Sequence, residues 1–223
     1  PPLGEHLIVD EREIHIFCIG SGDPTVILEA GEGLFSLSWQ LVQLEAAKIT
    51  RVCSYDRAGL GWSQANDTPR TPQNIIAELR ALLQEANIRP PYVLVGHSIG
   101  GRYARVFTAE YPDEVAGLVL VDAINEDYDA QYPVVTHEAV PFWNYGFALQ
   151  FGVVRLFGPQ LAVRSDPDFA QMPTEDLRSQ MILMYRSYRA AVALSEIVNR
   201  NQADGELYTQ GSLGNLPLSV LVR

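Results

Sequence analysis

Four short apolar runs, separated by stretches of helical periodicity, restrict this chain more than any other feature. They are residues 25–30 (TVILEA), 51–56 (RVCSYD), 92–96 (YVLVG) and 115–121 (VAGLVLV). Strands that are apolar almost throughout are buried on both faces, as in a parallel sheet covered by helices. The intervening segments fit that arrangement. Residues 37–49 read as a helix with Trp39, Val42, Leu44 and Ile49 among its apolar positions, and 99–110 as another. The best-signposted helix is 71–87. Thr71 can cap it, Pro72 suits its first position, and Ile75, Ile76, Leu79, Leu82 and Leu83 share one face. Residues 7–10 and 13–20 read as an opening hairpin. Strands alternating with helices predict an α/β fold with a mostly parallel sheet flanked by helices.

After Ala123 the alternation stops. Residues 124–205 carry aromatics, among them Tyr128, Phe142, Trp143 and Phe157, and a long helical pattern over 174–200. A last buried-strand run, LPLSVLV, follows at 216–222. The expected organisation is a core over 1–123, a helical insertion over 124–205, and a return to the core over 206–223. With 223 residues, 47% hydrophobic and 19% charged, the composition is that of one ordinary globular domain.

The formal net charge of -11 repels phosphate backbones and anionic headgroups, which argues against nucleic-acid and membrane-surface binding. No apolar stretch reaches the roughly 18 residues a membrane span needs. The start, Pro1-Pro2-Leu3-Gly4, has neither an initiator Met nor a signal-like apolar run, and reads as a trimmed or mature start; cytoplasmic and exported locations both stay open. Two cysteines, Cys18 and Cys53, are too few for a disulfide-scaffolded miniature fold or a four-thiolate zinc site. His6, His15, His97 and His137 are scattered without metal-ligand spacing, so neither metal nor cofactor is expected.

The chemistry is concentrated in Gly96-His97-Ser98-Ile99-Gly100, which follows a strand and opens a helix. That context is what a G-x-S-x-G nucleophile elbow requires. Small residues two before and two after the serine keep so tight a turn free of clashes, and Gly101 gives further room. The turn thrusts Ser98 Oγ out over the helix N-terminus, and the Ile99 N–H points to where an oxyanion would form. A second donor is expected from the loop after 25–30, with the Glu32 N–H as the natural choice; the alternative is that Gly31 and Gly33 only permit the turn.

In order along the chain, VILEAGEG, RVCSYDRAGLGWS, PYVLVGHSIGGRYAR and VAGLVLVDA resemble the α/β-hydrolase fold family, especially bacterial esterase-like members with a helical cap. The resemblance is close over 5–123, loose over 216–223, and positional only in the cap. It implies that strand 13–20 lies beside strand 51–56, which makes a Cys18–Cys53 disulfide feasible; two buried free thiols fit equally well. The loop of Asp56-Arg57 and the glycines after it resembles a family loop that is mainly architectural.

The same resemblance implies an order of serine, acid, histidine, with the histidine beyond the last strand. None of the four histidines fits that place. His6 and His15 belong to the hairpin, His97 shapes the pocket wall beside the serine, and His137 lies in the insertion. Strand 216–222 resembles the family's last-but-one strand, so the histidine is expected beyond Arg223 or from a second chain. The acid is expected after Val121 or after Val222. Asp122 fits the first place, or is a structural Asp ending a strand; Glu126 and Asp127 fit less well.

These readings predict a serine hydrolase that cleaves a carboxylic ester, with amides and lactones ranking behind, through an acyl-enzyme on Ser98. Its partner would be a small or medium apolar ester. Haloalkane dehalogenases and epoxide hydrolases of this fold need an Asp nucleophile, which Ser98 is not. Two rivals stand beside it. One is a non-catalytic α/β-hydrolase-like binding module. The other is a dinucleotide-binding domain, in which Gly31-x-Gly33-x-x-Ser36 would cradle phosphates and Asp56 would bind a ribose.

Overall fold

The computed structural model describes residues 3–124, 192, 195, 196, 199 and 213–222. Its sheet contains β1 (Glu5–Val9), β2 (Arg12–Ile19), β3 (Thr25–Glu29), β4 (Val52–Tyr55), β5 (Tyr92–His97), β6 (Val115–Val121) and β7 (Leu218–Leu221). The helices α1 (Gln40–Ala46), α2 (Pro72–Glu85) and α3 (Ile99–Glu110) lie between strands, and a 3-10 turn, Ser36–Trp39, leads into α1. Strand order is β1-β2-β4-β3-β5-β6-β7. β1 and β2 form the opening hairpin, β2 is antiparallel to β4, and β3 to β7 run parallel to one another. The expected mostly parallel α/β sheet is therefore present.

Alternation along the strands sends side chains to two separate cores. Ile27, Cys53, Leu94 and Leu118 face α2 and α3, where they join Ile75, Ile76, Leu79, Leu82, Leu83, Tyr103 and Phe107. Leu28 and Val52 face the other way and pack with Trp39 and Ala30. Helix α2 begins as its sequence requires, with Pro72 in the first turn and the Thr71 side chain accepting from Asn74 N at 3.2 Å. All five residues read as its apolar face are buried. At about 1.5–3 kcal/mol for each fully buried aliphatic side chain, that face fixes α2 on the sheet.

The first helix departs from expectation. It is shorter than 37–49, and Leu41, Val42, Leu44 and Ile49 are exposed. Its inward residue is polar: Gln43, 1% exposed, donates to Phe17 O and Val52 O and accepts from Ser54 Oγ. Those bonds satisfy the buried Gln43 amide itself, which burial would otherwise leave without the partners it has in water.

Cys18 and Cys53 stand directly opposite in the β2–β4 ladder and form a disulfide. Of the two alternatives at these cysteines, the structure has the bond rather than the free thiols.

The expected insertion, 124–205, lies almost wholly outside the described residues, as do His137, Glu126, Asp127 and most of the helix read at 174–200. Val192, Ser195, Glu196 and Asn199 are helical. Val192 packs with Phe35 and Leu60, Ser195 Oγ accepts from Arg70 N at 3.3 Å, and Glu196 is 0% exposed. These positions share one helical face, and that face sits on the loop between β4 and α2.

Candidate active site

Residues at the carboxyl ends of β3, β5 and β6 meet at one edge of the sheet. Ser98 stands between β5 and α3 with φ 54° and ψ -123°, a conformation that costs a residue with a Cβ about 1–3 kcal/mol. It is held by its main chain: Ser98 N donates to Val121 O at 3.1 Å, and Ser98 O accepts from Gly101 N at 3.0 Å and Ile124 N at 3.3 Å. The flanking glycines are required by space. A Cβ on Gly96 would lie 2.5 Å from Gly100 O, and one on Gly100 would lie 2.5 Å from Glu29 O and 2.6 Å from Ala30 O. A Cβ on Gly101 would collide with that of Ala123. Backbone thus packs directly on backbone around the turn, leaving Ser98 half-buried and reachable.

Ile99 opens α3, so its N–H is among the four at the helix start that have no partner within the helix. The helix dipole adds positive potential there, and both effects favour an anion beside Ser98. The loop after β3 comes alongside because Glu29 pairs with Gly96 in the β3–β5 register. Gly31 passes so close to the elbow that a Cβ on it would lie 2.8 Å from His97 Nδ1. Glu32 follows in an exposed turn closed by Leu34 N on Gly31 O at 3.1 Å. Asp122 lies one strand away, exposed, with φ 45°, its N–H bonded to Leu221 O at 2.7 Å. Ser98, Ile99, Glu32 and Asp122 therefore occupy neighbouring strand ends.

The described histidines His15 and His97 face other partners. His15 is 1% exposed, with Nε2 2.7 Å from Leu3 O and Nδ1 3.0 Å from Asp56 Oδ2. Burial pushes its pKa down, but the hydrogen bond and charge of Asp56, aided by Leu3 O, outweigh it and leave the value above the ordinary 6.5. His97 packs its ring edge-on to Trp39, 6.4 Å between centroids. Among the described residues no histidine is hydrogen-bonded to Ser98, and no group of three His, Cys, Asp or Glu could hold a metal ion.

Asp56 is also occupied. It is 0% exposed and accepts from Ser36 N at 2.8 Å and Trp62 N at 2.9 Å. A carboxylate so enclosed has no face for a ribose, and the dinucleotide reading loses its acid.

Sequence reasoning missed a buried cluster beneath the Gly31 loop. Arg57, 1% exposed, bonds Glu29 Oε1 at 2.6 Å, Ala30 O at 2.8 Å, Gly31 O at 2.8 Å, and Glu196 at 2.7 and 3.1 Å. Tyr55 OH donates to Glu29 Oε2. Burial pushes the Glu29 carboxyl above its ordinary value, against the pull of Arg57. Arg57 itself is held well above its own: burial opposes its charge, and Glu196 and Glu29 more than compensate. The available signal was Glu29, a carboxylate ending an otherwise apolar strand, which needs a buried cation for a partner.

Comparison with known proteins agrees with this architecture. The family described as alpha/beta hydrolase fold matches residues 24–210. The uncharacterized protein YqjL of Bacillus subtilis is 33% identical over 103 residues, covering 46% of this chain and 41% of that protein. An AB hydrolase superfamily protein of Gibberella zeae is 27% identical over 214 residues, 89% of this chain and 62% of that one. The chain thus spans less than two thirds of the length of either relative. Among solved structures, the epoxide hydrolase CorEH has a TM-score of 0.72 at 18% identity, over 97% of this chain and 80% of that one. An esterase from Thermogutta terrifontis has a TM-score of 0.64 at 24% identity, over 95% and 75%. The sheet, the elbow and the match over most of its length agree: this chain belongs to the α/β-hydrolase fold family.

Proposed function

We propose that the protein is a serine hydrolase that cleaves carboxylic esters through an acyl-enzyme on Ser98. The observation that carries the reading is the strained Ser98 backbone, φ 54° and ψ -123°, kept at a strand–helix turn walled by Gly96, Gly100 and Gly101. Strain of this kind persists where the surroundings over-determine it, and a reactive group is the usual reason. Ser98 Oγ attacks the ester carbonyl carbon while its proton passes to a histidine base. The oxyanion takes hydrogen bonds from the Ile99 and Glu32 N–H groups. Collapse expels the alcohol, which takes the proton from that histidine, and water then releases the acid by the same route. The histidine is assigned to a part of the enzyme beyond Arg223 or to a second chain, with His137 the alternative, and Asp122 is the proposed orienting acid. The aromatic residues between 124 and 205 suit a small or medium apolar ester, ahead of an amide or lactone. An epoxide hydrolase shares the fold, yet Ser98 occupies the place where that reaction needs an aspartate.

Labelling with a fluorophosphonate probe tests the proposal on the full-length gene product, on this chain alone, and on each with Ser98→Ala. Labelling of the full-length protein that disappears in Ser98→Ala is expected. Labelling that survives the substitution refutes Ser98 as the nucleophile, and absence of any labelling favours a non-catalytic binding module. Labelling of this chain alone would place the base within it.

A further inference from the structure

Arg57 has five N–H groups, and the structure gives each an acceptor: two on Glu196, one on Glu29, one on Ala30 O and one on Gly31 O. The Gly31 bond bears on chemistry through the geometry of the peptide. In a trans peptide the C=O and the following N–H point in opposite directions. A guanidinium fixed on Gly31 O at 2.8 Å therefore fixes the direction of the Glu32 N–H on the other side of the same plane. Only one other main-chain donor among the described residues, Leu34 N at 3.1 Å, holds Gly31 O.

The position of Arg57 is in turn set from two sides. Glu29, at the end of β3, takes one N–H of Nη1, and Glu196 takes Nε and one N–H of Nη2 in a paired contact. Glu196 is 139 residues distant in sequence, on the segment between β6 and β7, and its helix is seated by Val192 and Ser195. Val192 Cγ2 fills the space a Cβ would take on Gly59, so this seating is a close one. Without Glu196, the guanidinium has one carboxylate left and is drawn toward Glu29, away from Gly31 O.

We infer that Arg57 is the positioning residue of the oxyanion loop, and that Glu196, seated beside Val192 and Ser195, fixes the position of Arg57. The inference rests on the ester-hydrolase reading above. Glu196, Arg57 and the Gly31–Glu32 peptide are then one mechanical unit. Losing the Glu196 contact loosens the Glu32 N–H, so transition-state stabilisation is complete only while Glu196 holds Arg57. An interaction of this kind acts on kcat and leaves ground-state binding largely alone.

The test uses the full-length protein and a short-chain p-nitrophenyl ester, with Glu196→Gln and Arg57→Lys. Lys keeps the charge but lacks the fork that reaches both carbonyls and both carboxylates. Two inhibitors separate the effects: a trifluoromethyl ketone, which forms an oxyanion on the serine, and the corresponding secondary alcohol, which does not. Complete loss of one oxyanion donor costs about 10²–10³ in kcat, so a loosened one is expected to cost roughly tenfold or more. Trifluoromethyl ketone affinity should fall by the same factor in both variants, with KM and alcohol affinity within about twofold. Thermal melts identify any variant that fails to fold, and Glu196→Asp, which retains the charge, should recover part of the loss. If kcat and ketone affinity are unchanged in Glu196→Gln, Leu34 N suffices and the inference is overturned. Equal losses for ketone and alcohol also overturn it, because they mark a general disturbance. Activity that survives Ser98→Ala removes the parent reading instead, which keeps the two failures distinct.

Discussion

Replacing Ser98 by glycine should make the protein more stable while abolishing its reaction with fluorophosphonates. At φ 54° and ψ -123° a Cβ is crowded by its own main chain, a cost of about 1–3 kcal/mol that glycine does not bear. Glycine also has more freedom in the unfolded chain, which offsets roughly 0.5–1 kcal/mol of that relief. A net gain of about 1 kcal/mol remains, or roughly 2–4 °C in melting temperature for a chain of this size. Ser98→Ala is the necessary companion, since it removes Oγ and retains Cβ, so it loses labelling without relieving the strain. Calorimetric melts of the two variants at one pH give the difference directly. If Ser98→Gly melts at or below Ser98→Ala, the turn is not strained and the argument for a held nucleophile fails.

Other perturbations report on neighbouring features. Gly100→Ala places a Cβ 2.5 Å from Glu29 O and 2.6 Å from Ala30 O, both main chain. It should destabilise by about 1–3 kcal/mol, read from urea midpoints, and lower ester turnover by about a hundredfold or more as the elbow shifts. Glu78 is buried with Arg70 at 2.9 and 3.0 Å and also accepts from Ala58 N. Glu78→Gln leaves the Arg70 charge uncompensated and should cost about 3–5 kcal/mol by denaturant titration. His15 has a folded pKa above its ordinary 6.5, so its contribution to stability is full below that value and is lost as pH rises through the folded pKa. The unfolding midpoint of His15→Gln should accordingly vary less than that of the unsubstituted protein from pH 6.5 upward. Reducing the Cys18–Cys53 bond frees a separation of 35 residues and should lower stability by about 3–4 kcal/mol in guanidinium unfolding.

Much of this architecture was legible because it is local. A strand run such as TVILEA, or the stripe of Ile75, Ile76, Leu79, Leu82 and Leu83, announces its burial within a few residues of itself. The elbow was legible for the same reason, since a strand, a serine between glycines and a helix are contiguous. What escaped was set by distant partners. Trp39, Val42, Leu44 and Ile49 suggested an inward apolar face for the first helix, yet only Trp39 is buried, and Gln43 takes the inward side through bonds to Phe17 O, Val52 O and Ser54 Oγ. Arg57 passed for a loop residue because one of its carboxylates is 28 residues behind it and the other 139 ahead. Asp56 sat at a plausible distance for ribose binding, and only the fold reveals that two N–H groups already occupy its oxygens.

The pairing of Glu29 with Gly96 has a consequence for how such a protein can change. Ile99 and the Glu32 loop continue from two adjacent strands, so the main-chain ladder rules off the spacing of the strand ends from which they leave. A slip of one residue would turn every side chain of β3 to the wrong face, which the two separate cores forbid. The ladder therefore acts as a gauge block: side chains around the site can be exchanged while the interval between the two strand ends stays constant.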